Sequence, residues 1–250
     1  MLNNIINIFS NLTKGLGVVE LPKSVYTEKQ PITSADFKKF VNEIFLPKIQ
    51  AMGFKGKDFY YYRENKIYTE AIFFWTHRVG GAVQVDLLVK FNNIKNPTIE
   101  KLIKPQNIRP VNADFFYRLS ENKAEKNSLF KFNTWFWIFK EKDEDNKKVV
   151  NDIWRVFSNQ GLSFFERFKN HEEYIGKINR KNYLDFPDFQ LQRFLGTYEL
   201  GILYFLFEYW LQSENREKAN EFAKIALEKS NDNTNELYSN IFNEYLKHNK

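Results

Sequence analysis

Cysteine is absent from this 250-residue chain and histidine nearly so, with three. The first absence excludes disulfides, a thiolate nucleophile and every thiolate metal site, and it suits a reducing compartment. The second leaves His77, His171 and His248 with no pair at ligand spacing such as HxxxH, so a metal centre would have to be assembled from distant parts of the chain. No serine sits in a GxSxG elbow, and no glycine-rich phosphate loop of the GxxxxGKS or GxxxxGKT kind occurs. Gly15 and Gly17 form a lone GxG without the third glycine, the preceding strand or the following helix that dinucleotide binding needs. Long apolar runs are missing too. The longest, from Ile202 to Tyr209, is interrupted by Glu208 and falls far short of the ~20 residues of a bilayer span. MLNNIINIFSNL has neither a basic segment nor a small-residue cleavage site, which predicts no secretory signal. A soluble cytoplasmic protein is expected.

What is present is aromatic. Phe, Trp and Tyr make up 18% of the chain, with 26 phenylalanines and five tryptophans, and a hydrophobic share of 43% is enough for a full core. The formal charge of +6 would favour anionic partners if it were clustered, but it is spread among Asn, Glu and Asp.

The stretch from Phe59 to Phe91 holds three runs of aromatic and β-branched residues, separated by Arg63-Glu64-Asn65-Lys66 and by Arg78-Val79-Gly80-Gly81. That is the pattern of an antiparallel meander, with Gly80-Gly81 supplying a tight turn. In the third run Val83, Val85, Leu87, Val89 and Phe91 share one face, and Gln84, Asp86 and Lys90 share the other, which predicts one buried and one wetter side. In the second run Ile67, Ala71, Phe73 and Trp75 compete with Tyr68, Ile72 and Phe74 for the core. Ahead of the meander, Thr33 or Ser34 caps a helix whose stripe runs through Phe37, Phe40, Val41, Ile44, Phe45 and Ile49 to Gly53, with a kink or break expected at Pro47. Leu2, Ile5, Ile6, Phe9 and Leu12 predict a short terminal helix.

Residues 92–110 hold three prolines and read as a surface loop with one helical turn at Thr98 to Ile103. Strands are expected within 111–119 and 128–139, then a helix carrying Val149, Val150, Ile153, Trp154 and Phe157 on one face. Two short helices joined near Asn170 follow, then a linker over 179–190. From Leu191 the period is helical, with Ala219, Phe222, Ala223 and Ala226 fitted to an αα-hairpin and a third helix from Asn235 to Lys247. The whole reads as an α+β fold: an antiparallel sheet of four to five strands packed with helices, followed by a C-terminal helical hairpin or cap. The divisions are 1–33, 34–180 and 181–250.

Leu46-Pro47-Lys48-Ile49, Gly53-Phe54-Lys55, Tyr62-Arg63-Glu64-Asn65, Trp154 and Gly161-Leu162-Ser163-Phe164-Phe165 together resemble the bacterial domain-of-unknown-function family numbered 4304, over roughly residues 36–180. The resemblance implies a fold and carries no catalytic residues with it.

Candidate binding residues follow from the aromatic load and the basic loop. Tyr60, Tyr62 and Tyr68, beside Arg63 and Lys66, are side chains that anchor protein interfaces or stack nucleobases. Lys101, Lys104 and Arg109 give the 92–110 loop an excess of positive charge. His77, Arg78 and Asp86 form an alternative polar cluster for an enzyme hidden under that loop. With no catalytic motif in local sequence, a non-enzymatic protein-binding module is expected, an immunity-type role being one version. Nucleic-acid binding and an enzyme without a short motif are the alternatives. No cofactor is expected.

Overall fold

The computed structural model describes residues 32–76, 81–98, 100–119, 137–184, 198–232 and 236–248. The terminal stripe of residues 1–12, Gly80, and the strand expected between 128 and 136 lie outside them.

Helix α1 (Ser34–Phe40) starts where the sequence places it. The Thr33 hydroxyl accepts the Asp36 N–H at 3.2 Å, and the Asp36 carboxylate accepts the Thr33 N–H at 3.0 Å, a reciprocal cap that satisfies two free donors. The regular α-helix is interrupted ahead of Pro47. The chain widens into a π-turn at Val41–Phe45 and continues into α2 (Leu46–Gln50), with Pro47 in the first turn of the new segment. Proline has no N–H and crowds the turn before it; the wider turn, in which the Leu46 N–H reaches the Val41 carbonyl, removes that conflict. Gly53, at φ 85°, ends the helix.

Among the described residues the sheet has six strands. β1 (Lys55–Lys57), β2 (Tyr60–Glu64), β3 (Tyr68–Thr76) and β4 (Ala82–Phe91) run antiparallel in sequence order. The outer edge of β4 is shared: β5 (Phe115–Arg118) pairs with Asp86 to Val89, and β6 (Trp137–Ile138) with Ala82 and Val83. The meander is therefore present, with β1 as an extra edge strand. Its sequence, KGK, carries no strand signal. Gly56 is required there, since at φ 123° a Cβ would lie 2.3 Å from the Tyr60 carbonyl oxygen.

The main face of the sheet packs on α1, α2, α3 (Asp143–Val156), a second π-turn at Phe157–Gly161, α4 (Leu162–Lys169) and α5 (His171–Gly176). Phe45 sits edge-on to Phe74 at 5.1 Å and to Phe157 at 5.5 Å between ring centroids. Gly161 lets the helical layer press on the sheet: a Cβ there would meet Phe157 Cδ2 at 2.6 Å and Leu87 Cδ1 at 2.9 Å. The C-terminal helices α6 (Tyr198–Gln212), α7 (Arg216–Asp232) and α8 (Glu236–His248) continue the same buried cluster. Phe205 reaches Phe115 at 5.0 Å and Tyr209 reaches Phe91 at 5.5 Å, so α6 closes one end of the main face. Ala219, Ala223 and Ala226 of α7 are fully buried, as a close helix pair requires.

Two expectations need correction. β4 is buried along its whole length on both faces, so Gln84, Asp86 and Lys90 are not on a wet side. The helical turn expected at Thr98 to Ile103 is replaced by an isolated bridge between Asn96 and Lys101 and a 3-10 turn at Pro105–Asn107. The Asn96 side chain accepts the Thr98 N–H at 3.0 Å, a local turn that competes with helix, whereas Pro105 is preset for a first turn.

Candidate functional site

Directly opposed residues of an antiparallel sheet share a face, so the register sorts the candidates. On the second face one row across four strands is Tyr60, Phe73, Asp86 and Arg118; the next is Tyr62, Ala71, Leu88 and Phe116. Residues 92–114 fold back over these rows. Ile108 and Ala113 are buried against Ala71, Leu88 and Phe116, with Tyr60, Tyr62, Phe73 and Ile103 packed around them. Over these rows the sheet's second face is thus covered by the loop that leaves its own central strand, and α6 comes near it at the Lys90 end.

Arg109 is the keystone of that cover. Its guanidinium carbon stands 4.6 Å from the Tyr60 ring centroid and 5.3 Å from that of Phe73, and its Nη1 donates to the Ile108 and Gln106 carbonyls. The Tyr60 hydroxyl donates to the Pro105 carbonyl, tying the loop to the strand. Burial pushes the Tyr60 phenol well above its ordinary range although the Arg109 charge opposes the shift.

The charged groups of the face are paired with one another. Asp86, fully buried, accepts from Arg118 at 2.8 Å (Nε) and 3.2 Å (Nη2), and the same guanidinium lies 5.4 Å from the Phe116 ring. Burial raises the Asp86 carboxyl above the usual range, and the Arg118 hydrogen bond and charge pull it back. Lys90 and Asp114, both buried, meet at 2.6 Å, and Asp114 also accepts the Phe91 N–H at 2.7 Å.

Among the described residues, nothing covers one end of the face. Tyr62, Tyr60, Phe73 and Trp75 form a ladder with centroids 6.1, 6.2 and 6.0 Å apart, and Trp75 at its end is 45% exposed. Ile138, opposite Ala82 on β6, is 39% exposed on the same face, beyond the reach of the loop.

The structure thus brings Tyr60, Tyr62, Arg109 and Asp86 together. Lys66, Lys101 and Lys104 are exposed, the first at the β2–β3 turn and the others on the loop, away from the aromatic rings. Arg63 and Tyr68 belong to the opposite face. Arg63 donates to buried Glu70 at 2.6 Å and to the Met52 carbonyl at the end of α2 at 2.8 Å, and its guanidinium covers Phe54 at 4.7 Å. Burial raises the Glu70 carboxyl, partly offset by Arg63. Tyr68 is core, packed on Phe168 and His171, and Tyr61 of the same face is fully buried. His77 and Arg78 lie outside the described residues, so of that cluster only Asp86 is placed, with Arg118 as its partner. His171 Nδ1 is 2.9 Å from the Tyr209 hydroxyl beside a cavity of about 130 Å3, and burial lowers its pKa.

Sequence reasoning missed Phe73, Trp75, Arg118 and Ile138 as members of one surface. The second run of the meander is apolar on both faces, so alternation had nothing to discriminate, and Arg118 is revealed only by its register opposite Asp86. Among the described residues no group of three or more His, Asp or Glu is gathered as metal ligands would be, and no helix is long and apolar enough to cross a membrane. Comparison with family models, with curated proteins and with solved structures finds no match.

Proposed function

We propose that this protein is a non-enzymatic binding module that recognises another protein through the open end of the second sheet face. The observation that carries the reading is the exposure of Trp75 and Ile138 on one sheet surface, next to Phe73 and the Arg118–Asp86 pair. Tryptophan and arginine dominate the energetics of protein interfaces, and a sheet presents them with little entropy left to lose. The charged groups of the face are held by each other, which suits a fixed docking surface better than proton transfer. Cytoplasmic residence, kinship of residues 36–180 with family 4304, and an immunity-type role, in which the module masks a toxin by contact, belong to the same proposal.

The test is capture of protein from the lysate of the source cell and of purified products of neighbouring genes, by the wild type and by three variants. Trp75→Ser and Ile138→Ser are expected to abolish capture. Leu102→Ser, which alters an exposed apolar residue of the loop, is expected to leave it intact. No captured protein, or equal capture by all four, contradicts the reading.

Lys101 and Lys104, exposed on a loop tied to Tyr60, favour a second reading, contact with nucleic acid phosphates. Base stacking on Tyr60 is opposed by Arg109, which already occupies the ring. Binding to mixed RNA and DNA that weakens steeply with salt and is lost in Lys101→Ala/Lys104→Ala supports it; absent or salt-independent binding dismisses it.

A further inference from the structure

The charge left over around Trp75 follows from pairing, strand by strand. Lys57 stands opposite Tyr60 and Lys55 opposite Tyr62, so both lysines of β1 carry the rows of the second face out to the sheet edge. Both are exposed. The other cations at strand positions of this face, Arg118 and Lys90, are neutralised by Asp86 and Asp114 at 2.8 and 2.6 Å. One further strand position is acidic. Glu64, exposed, lies at the end of β2 away from Trp75, where it offsets Lys55 and not Lys57. At the turn between β1 and β2, Asp58 is met from α1 by Lys38 at 3.4 Å.

Arg109 adds a second uncompensated cation. Its guanidinium lies over Tyr60 and Phe73, the two rings that precede Trp75 in the ladder, and the acceptors it meets among the described residues are the neutral carbonyls of Gln106 and Ile108. No carboxylate stands against it there. Lys57 is two strands from Trp75, about 10 Å across the sheet, so one partner surface can reach both. The open end is thus an apolar centre, Trp75 and Ile138, beside two positive charges that no described carboxylate offsets. Interfaces place apolar anchors centrally and match the charge of the rim.

We propose that the partner of this face is a protein with an acidic contact surface, its carboxylates meeting Lys57 and Arg109 around an apolar group seated on Trp75 and Ile138. The inference rests on the partner-docking reading and names the chemistry of what docks. A second copy of the chain is disfavoured, since two molecules at +6 repel. Nucleic acid would bring the negative charge but give Ile138 no apolar counterpart, and Arg109 already occupies the Tyr60 ring.

The probes are three dye-labelled peptides of one pattern and an oligouridylate, each titrated with the full-length protein by fluorescence anisotropy. In the first peptide glutamates flank leucine and phenylalanine; glutamine or lysine replaces glutamate in the other two. The glutamate peptide is expected to bind about tenfold more tightly than the glutamine peptide at low salt, with the advantage shrinking as salt rises. The lysine peptide and the oligouridylate are expected to bind more weakly than the glutamate peptide. Lys57→Glu should weaken the glutamate peptide several-fold and leave the glutamine peptide unchanged, and Arg109→Gln should act in the same direction. If Arg109→Gln disturbs the fold by circular dichroism, the exposed Lys57→Glu carries the test. No binding of the glutamate peptide, equal affinity for the glutamate and glutamine peptides, no effect of Lys57→Glu, or tighter binding of the lysine peptide or the oligouridylate overturns the proposal. Trp75→Ser separates the two readings. Loss of both glutamate and glutamine peptides at equal affinity keeps the docking face and removes only its acidic partner, whereas unchanged binding of the glutamate peptide in Trp75→Ser refutes the docking face itself.

Discussion

The two faces of this sheet are closed by different physics. The main face buries rings against rings: Phe45, Phe74 and Phe157 interlock, and Gly161 sets how near the helical layer comes. The second face is closed by a loop whose apolar cover, among the described residues, comes from Ile103, Ile108 and Ala113, and it keeps two ion pairs beneath or beside that cover. Apolar packing is non-directional and tolerates aromatic exchange in sequence, whereas a buried ion pair stands only with both partners in register. One face is therefore a core, and the other a surface whose shape is fixed by pairing.

Truncation should separate the two. Phe157→Ala is expected to lose about 3–5 kcal/mol through lost burial and a cavity, and Asp114→Ala a similar ~3–5 kcal/mol by leaving Lys90 charged, buried and alone. The faces differ in rescue. Adding Lys90→Met to an Asp114→Leu background should recover part of the loss, because an apolar pair of similar volume replaces two desolvated charges while the Phe91 N–H stays without its acceptor; urea unfolding of the single and double variants measures this. Failure of the double variant to recover breaks the distinction.

Overpacking comes next. Gly161→Ala should cost about 1–3 kcal/mol in the same assay, since its new methyl meets Phe157 and Leu87 at under 3 Å and the ring must shift. A neutral result would mean that the main face is looser than its distances imply.

A smaller effect is read in pH. Burial raises the Asp86 carboxyl, so the folded state takes up a proton there before the unfolded state does, and stability from this group rises as pH falls toward the ordinary value of 3.8. The wild-type margin over Asp86→Asn should accordingly widen as the pH is lowered toward 3.8. If the Arg118 attraction outweighed burial, the sign would reverse and the margin would shrink with acid.

The smallest change in stability is expected at the open end. Trp75→Ser should alter unfolding by no more than about 0.5 kcal/mol, as for other exposed positions, while removing partner capture. A large loss of stability would make Trp75 part of the core.

Sequence carried the main face well, for a physical reason. Helix periodicity through Phe37, Phe40 and Phe45, the Thr33 cap and the valines of β4 are local signals that agree with the packing. The second face was not legible in the same way. Lys90 and Asp86 read as solvent-facing because alternation reports polarity and not partnership; their partners Asp114 and Arg118 stand 24 and 32 residues away. Tyr60 and Arg109 were both visible as candidates, but only the fold-back of residues 92–114 puts one against the other. Arg63 and Tyr68 looked like their neighbours and differ only in strand register.

Hydroxyl-radical footprinting with residue-level mass spectrometry tests the central claim most directly, because it reports side-chain access along the whole second face at once. The account predicts rapid oxidation of Trp75 and Ile138, with Leu88, Ile108 and Phe116 protected in the folded protein. Oxidation of Leu88 and Ile108 at the rate of Trp75 would show that residues 92–114 do not cover the sheet, and would contradict it.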